Sequence, residues 1–139
     1  MMKIKQLFAS TVLCVCLTAC VNTGIYNQGV TAYQQGNYTQ AAQNFQAACD
    51  SGVVQGCNNL AELYRTGQGV QKDIPKAQRL FTQSCNNGIP HGCAGLAVIY
   101  AEKDDAENAA KYLVKACKGG HQGSCDLHKN AINAAKQSQ

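Results

Sequence analysis

The chain has 139 residues, of which only 14% are charged, and its formal net charge is +4. Lys3 and Lys5, near the N-terminus, supply two of these charges, so the rest of the chain carries a net charge of only about two. No basic tract interleaved with aromatic residues occurs, which argues against nucleic acid as a partner.

The first predicted element is an export signal over residues 1–19. Lys3 and Lys5 precede an apolar run that ends in Leu17-Thr18-Ala19-Cys20. The run is too short to span a membrane and is typical of a secretory signal. Residues 17–20 also allow a more specific interpretation. The alternative to it is an ordinary signal peptide that has a cysteine near its end by chance.

The more specific interpretation is a lipoprotein signal, because residues 17–20 resemble the lipobox of bacterial lipoproteins. The resemblance implies cleavage before Cys20, lipid such as palmitate on its sulfur, and a membrane-anchored protein of the bacterial cell envelope. Val21, in place of an aspartate, resembles lipoproteins sorted to the outer membrane and facing the periplasm. Residues 20–25 would then form a short tether.

The cysteines follow a regular pattern. Two of the nine would leave with the signal and Cys20 would be lipidated, so six remain. An exported chain with an even, regularly spaced set of cysteines predicts a disulfide framework, and sequential pairing is the simplest of the possible connectivities. Zinc ligands would favour C-x2-C or C-x4-C, and a redox site would favour C-x-x-C, neither of which fits. The three C-x7-C pairs are Cys49 with Cys57, Cys85 with Cys93, and Cys117 with Cys125.

Hydrophobic residues recur at three- and four-residue steps from Val30 onward, which predicts helices and no strands. Glycines mark the expected helix ends, and Pro75 and Pro90 stand near first turns. The distance from Cys49 to Cys85 is 36 residues and that from Cys85 to Cys117 is 32, the range of two-helix repeats. Helices are predicted at 25–35, 38–50, 54–66, 74–87, 90–102, 105–118 and 121–136.

Two segments carry a family resemblance. Residues 26–48, with Gly29 and Phe45 at packing positions, resemble a tetratricopeptide repeat, and residues 57–88 resemble a Sel-one-like repeat with its Gly-x-Gly-Val loop. With a C-x7-C pair in every unit, the mature chain resembles the Helicobacter cysteine-rich protein family. The resemblance implies an all-α fold: a short α/α solenoid of tetratricopeptide-like and Sel-one-like repeats, stapled by disulfides. The repeat domain would cover 26–136, in units 26–52, 53–88 and 89–120 with a final helix at 121–136.

Two classes of function follow from these features. Members of the cysteine-rich family are associated with penicillin binding and weak β-lactam hydrolysis, so the resemblance implies such an activity as one hypothesis. The sequence offers no S-x-x-K, S-D-N or K-T-G motif and no H-x-H cluster, and we therefore assign no catalytic residue, no metal site and no cofactor. His91 and His121, in equivalent turns, are interpreted as solvated residues, with a metal or ligand role as the alternative.

The other hypothesis is a binding scaffold, because stacked helix pairs form a curved surface lined by the first helix of each unit. Polar side chains on these helices would hydrogen-bond an envelope protein or peptide, or a peptidoglycan-related ligand. Each could equally be an ordinary solvated residue. The candidates are Asn27, Gln34, Asn58, Asn59, Glu62, Arg65, Glu102 and Lys103.

Overall fold

The computed structural model describes residues 23–137, apart from the side chain at position 135. This part of the chain contains seven helices and no strand, which confirms the all-α prediction. The export signal, Cys20 and the first half of the expected tether lie outside these residues. The helices are α1, whose described part covers 23–34, α2 (Tyr38–Asp50), α3 (Val54–Thr66), α4 (Ile74–Asn86), α5 (Pro90–Glu102), α6 (Ala106–Lys118) and α7 (Gln122–Gln137).

The helix ends agree with the sequence-based expectation to within two residues. The largest difference is at the start, where the chain is already helical at residue 23, inside the segment expected to be a tether. None of the helices within residues 23–137 combines the length and the apolar character needed to cross a membrane.

The helices form two layers, because from α2 to α7 each packs against its neighbours in the chain. The odd-numbered helices form one layer and the even-numbered helices the other. Direct contacts occur within the odd-numbered layer, between α3 and α5. We call the exposed side of α1, α3, α5 and α7 the inner face, since in a stacked array of helix pairs the first helices line the concave side.

The even-numbered helices α2, α4 and α6 each begin at a side-chain cap from an asparagine or an aspartate. The carboxamide or carboxylate oxygens of Asn37, Asp73 and Asp105 accept hydrogen bonds from backbone N–H groups three residues later, at 3.3, 2.8 and 3.1 Å. Such caps satisfy donors that the first helical turn leaves free. Hydrogen bonds from the side chain and backbone of Asn108 also hold the pKa of Asp105 below its ordinary value.

The core consists of two buried clusters centred on Phe45 and Phe81, and Tyr64 and Leu80 pack against both. Phe81 lies so close to α5 that a Cβ added at Gly95 would stand 2.5 Å from the ring. A glycine is therefore required at this crossing, because any larger residue would displace the ring. The close approach lets a core poor in large side chains pack tightly.

The disulfides pair sequentially, as the spacing predicted. Cys49–Cys57, Cys85–Cys93 and Cys117–Cys125 have Cα–Cα distances of 4.6, 4.7 and 4.6 Å, within the range that the bond geometry requires. Each bond connects the end of an even-numbered helix to the start of the next odd-numbered one. The cysteines therefore stabilise the turns between units and lie away from the centre of the inner face.

The turn between α5 and α6 contains a residue in an unusual backbone conformation. Asp104 has φ of 60°, whereas the equivalent turn of the first unit has Gly36 at φ of 77°. We expect Asp104→Gly to raise the free energy of unfolding by about 0.5 kcal/mol, because glycine adopts a positive φ without steric cost, although it also gains entropy in the unfolded chain. Urea unfolding followed by circular dichroism would measure the change.

The neighbouring Asp105→Ala is the matched control for this substitution. It removes a carboxylate from the same turn, but it also removes the cap of α6, so we expect it to lower the thermal midpoint. If both substitutions moved the midpoint in the same direction, the backbone conformation of Asp104 would not be the cause.

Candidate binding face

At the C-terminal ends of α3 and α5, a charged network on the inner face connects two units. Arg65 contacts Glu62 on its own helix through two hydrogen bonds, of 3.0 Å from Nε and 2.6 Å from a terminal nitrogen, and reaches Glu102 on α5 at 2.9 Å. The hydrogen bond to Glu62 is the main reason why the pKa of Arg65 is raised, with both carboxylates adding attraction and burial opposing them. Three of the predicted residues thus act together, and they fix α3 relative to α5.

Two more predicted residues lie on α3 next to this network. Asn59 donates a hydrogen bond to the hydroxyl of Tyr26 on α1 at 3.3 Å, so it connects the first two units. The side-chain oxygen of Asn58 is buried and has no hydrogen-bond partner within residues 23–137. A buried acceptor without a partner is unusual in a folded protein.

The other predicted residues do not join the network. Lys103 donates to the side-chain oxygen of Gln78 on α4 at 2.7 Å, and Gln78 in turn donates to the hydroxyl of Tyr100. Asn27 and Gln34 are exposed on α1. The predicted set therefore divides into a connected group at α3 and α5 and separate residues at its edges.

An apolar groove that was not predicted from the sequence lies on the inner face, between α5 and α7 with α6 below. We call it the apolar groove; its volume is about 560 Å³. Val98 and Leu127, on opposite walls, are 44% and 61% exposed. Its lining residues are Ala94, Ala97, Val98, Ala101, Asp104, Ala106, Ala109, Ala110, Leu113, His121, Ser124 and Leu127.

The groove arises from a change between the second and third units. Ala94, Val98 and Ala101 stand 36 residues after Asn58, Glu62 and Arg65. The same positions of the repeat are therefore polar on α3 and apolar on α5. A comparison of these two units position by position could have revealed this change, but the small residues resemble ordinary core residues when read alone.

The two histidines predicted to be solvated turn residues lie against each other at one end of the groove. The rings of His91 and His121 contact edge to face with centroids 4.7 Å apart. His121 also caps α7, because its Nδ1 accepts from the backbone N–H of Ser124 at 3.1 Å and lies 2.7 Å from the Ser124 hydroxyl. Burial, and then the proximity of His91, lower the pKa of His121.

This lowered pKa predicts a pH dependence of stability. Because the folded protein binds a proton at His121 less readily than the unfolded chain does, the stabilisation is present above the unfolded pKa of 6.5 and is lost as pH falls through the folded pKa. We expect the unfolding free energy of the wild type to fall more steeply between about pH 8 and pH 5 than that of His121→Asn, which keeps a capping oxygen. Parallel slopes in urea unfolding would contradict the assignment.

No cluster of three or more histidine, cysteine, aspartate or glutamate side chains with the geometry of a metal site occurs between residues 23 and 137. The edge-to-face contact of His91 and His121, together with the capping bonds of His121, accounts for the position of both rings.

Comparison with known proteins places the fold in a family. The profile described as the Sel1 repeat matches residues 18–53, 54–89 and 91–121, which is most of the chain. The chain belongs to the Sel1 repeat family. This confirms the resemblance seen in the Gly-x-Gly-Val loop of the sequence, and a Sel1-repeat scaffold fits a role in binding other proteins.

Among sequence relatives of this Sel1-repeat protein are two cysteine-rich proteins of Helicobacter pylori strain J99. "Putative beta-lactamase HcpE" is 47% identical over 45 residues, which is 32% of this chain and 13% of the relative. "Putative beta-lactamase HcpC" is 42% identical over 48 residues, which is 34% of this chain and 17% of the relative. The alignments thus span less than a fifth of either relative.

Two solved structures share the fold. The protective antigen c5321 of uropathogenic Escherichia coli, described as displaying an SLR fold, superposes with a TM-score of 0.69 at 25% identity, over 76% of this chain and 24% of that one. Helicobacter pylori cysteine-rich protein B gives 0.56 at 26% identity, over 63% of this chain and 69% of its own. Both likenesses support a helical solenoid of Sel1 repeats.

Proposed function

We propose that the protein is a lipoprotein of the bacterial cell envelope that binds an envelope protein or peptide on its inner face. A lipid on Cys20 would hold it at the outer membrane, facing the periplasm. The lipobox-like residues 17–20 and the disulfide-bonded pairs support this location, because disulfides persist in oxidising compartments. Membership of the Sel1 repeat family supports the binding role.

The observation that carries the binding proposal is the Arg65 network. It connects α3 to α5 through two carboxylates and keeps the inner face in a fixed shape before any partner arrives. A preorganised surface loses less conformational entropy on binding than a flexible one. The apolar groove lies beside this network, on α5, and suits a segment lying along the face.

A photo-crosslinking experiment in intact cells tests this function. We expect a benzoylphenylalanine side chain at position 103, at the edge of the inner face where α5 ends, to capture a protein or peptide that the same group at position 115 does not capture. Lys115 is the matched control because it is also an exposed lysine, but on α6 in the other layer. Equal capture at both positions, or capture at neither, would contradict binding through the inner face.

The anchor is tested separately by Cys20→Ser. We expect this substitution to abolish incorporation of radiolabelled palmitate and to release the protein from the membrane fraction, because the acceptor sulfur is lost. A protein that remained in the membrane fraction without label would show that another feature holds it there.

β-Lactam binding is the second candidate, since two relatives carry β-lactamase names and the groove contains a hydrogen-bonded serine and histidine. The geometry favours a structural role for this pair: Ser124 is only 1% exposed, and His121 accepts from its backbone N–H as a helix cap does. We expect a fluorescent penicillin to leave the purified protein unlabelled. Labelling that disappears in Ser124→Ala would support the enzymatic candidate instead.

A further inference from the structure

We propose that the apolar groove binds a polypeptide segment in which a large apolar side chain stands next to a lysine or arginine. This inference rests on the proposed function and specifies the chemistry of the partner. It depends on three features: the space in the groove, its exposed apolar walls and the negative charge at one end.

The space exists because the groove is lined by small residues. Six of the lining residues are alanines, on α5 and α6. Most of the lining is apolar, and its volume of about 560 Å³ lies within the range of pockets that hold ligands. Since the walls are fixed by the Cys117–Cys125 bond and by packing of α5 on α6, the groove does not close by collapse.

The walls expose apolar surface that a partner would cover. Val98 stands on α5 and Leu127 on α7, and both are more than two-fifths exposed. In the second unit the position of Val98 is held by Glu62, which is engaged by Arg65. A single exposed apolar residue needs no explanation, but two on facing walls of an apolar groove are typical of a binding site.

The turn at one end of the groove is acidic. It contains Asp104 and Asp105, with Lys103 as the basic residue, and it is flanked by Glu102 at the end of α5 and Glu107 in the first turn of α6. Glu102 is paired with Arg65, Asp105 caps α6, and Lys103 is hydrogen-bonded to Gln78. Asp104 is exposed at the groove, and within residues 23–137 neither a salt bridge nor a hydrogen bond engages its carboxylate.

Asp104 is also the residue with the unfavourable backbone angle. At φ of 60° a glycine would avoid steric cost, as Gly36 does in the first unit. The chain nevertheless has a carboxylate there, at the mouth of the groove. Strained positions are often found where a side chain serves binding. The charge fits a cation beside the apolar side chain that enters the groove.

The lysines of α6 do not cancel this charge at the groove. Lys111, Lys115 and Lys118 lie around Val114, on another side of the helix. A basic residue of a bound segment would therefore meet Asp104 without competition from these side chains, whereas an acidic residue would be repelled. Charge complementarity of this kind sets specificity more than affinity.

A peptide array tests the inference. Each nine-residue peptide would have glycine and serine flanks around a central pair of residues. The first residue of the pair would be Phe, Leu, Ile or Ala, and the second Lys, Arg, Ser or Glu. Binding of the labelled mature protein to each peptide would then be measured. We expect the pairs of a large apolar residue with Lys or Arg to bind at least about tenfold more strongly than pairs with Glu or pairs that begin with Ala. An array without this preference would overturn the proposal.

Variants locate the binding of the best peptide by fluorescence anisotropy. Asp104→Asn tolerates the backbone angle and removes the charge, so we expect the preference for Lys over Glu to fall about tenfold while a Phe-Ser peptide binds as before. Val98→Glu introduces the residue found at this position in the second unit and puts a charge on the apolar wall, so we expect binding of the Phe-Ser peptide, which has no cation to pair with it, to fall at least about tenfold. Asp50→Asn, an exposed aspartate at the end of α2, is the matched control and should change nothing.

Other outcomes are distinguishable. Retained preference in Asp104→Asn, or binding unaffected by Val98→Glu, would overturn the groove as the site. If a second copy of the chain occupied the groove, sedimentation equilibrium would show self-association, and Val98→Glu would abolish that self-association. This result would also overturn the proposal. If crosslinking at position 103 captured a partner while the array showed no preference, the proposed function would stand and only this inference would fail.

Discussion

Replacing all six paired cysteines by alanine is expected to unfold the repeat domain at room temperature. Each bond closes a loop of about nine residues, which the chain-entropy account values at roughly 2 to 3 kcal/mol, so three bonds contribute on the order of 6 to 9 kcal/mol. Domains of this size have net stabilities of about 5 to 15 kcal/mol. Far-UV circular dichroism of the mature protein would show the loss of helix.

Single bonds provide the control series. Removing Cys85–Cys93 should cost more than removing Cys117–Cys125, because the former pair is 3% exposed inside the core and the latter is half-buried near the end of the array. Reduction of the wild type by dithiothreitol should cause the same loss of helix as replacing all six cysteines. A reduced protein with an unchanged urea midpoint would show that helix packing alone maintains the fold.

Phe81→Ala is the single substitution with the largest expected effect, a loss of about 3 to 5 kcal/mol. Phe81 is 2% exposed and contacts α5 at Gly95, so its removal leaves a cavity between the second and third units. The rigid crossing at Gly95 would limit collapse into that cavity. Urea unfolding with all disulfides intact measures the difference.

Tyr33→Ala is the matched control, because it also removes an aromatic ring but from a position that is 40% exposed. We expect it to cost less than about 1 kcal/mol. If the two variants lost similar amounts of unfolding free energy, the position of Phe81 at the helix crossing would have no special importance for stability.

Most of the fold could be predicted because local signals determine it. Asn37, Asp73 and Asp105 cap helices in the structure, and Pro90 begins α5. The C-x7-C spacing predicted the correct disulfide pairing, since the end of one helix and the start of the next must meet across a short turn. The prediction for α1 began at residue 25, whereas the chain is already helical at residue 23.

The candidate site was predicted only in part, because its contacts join residues far apart in the chain. The bond between Arg65 and Glu102 spans two units, and nothing in either local sequence selects the partner. His91 and His121 were placed in equivalent turns, but their ring contact depends on how the third unit packs against the last helix. The apolar groove was missed because alanines on α5 and α6 are as typical of helix packing as of a binding surface.

The position of the disulfides has a consequence for how such arrays lengthen. Each bond spans the boundary between units, so a cassette such as residues 54–89 contains Cys57 and Cys85, which belong to different bonds. Tandem duplication of that cassette would pair the old Cys85 with the new copy of Cys57 and leave no free thiol. A gene encoding this protein can therefore gain a repeat in one recombination event, with its covalent cross-link already in register.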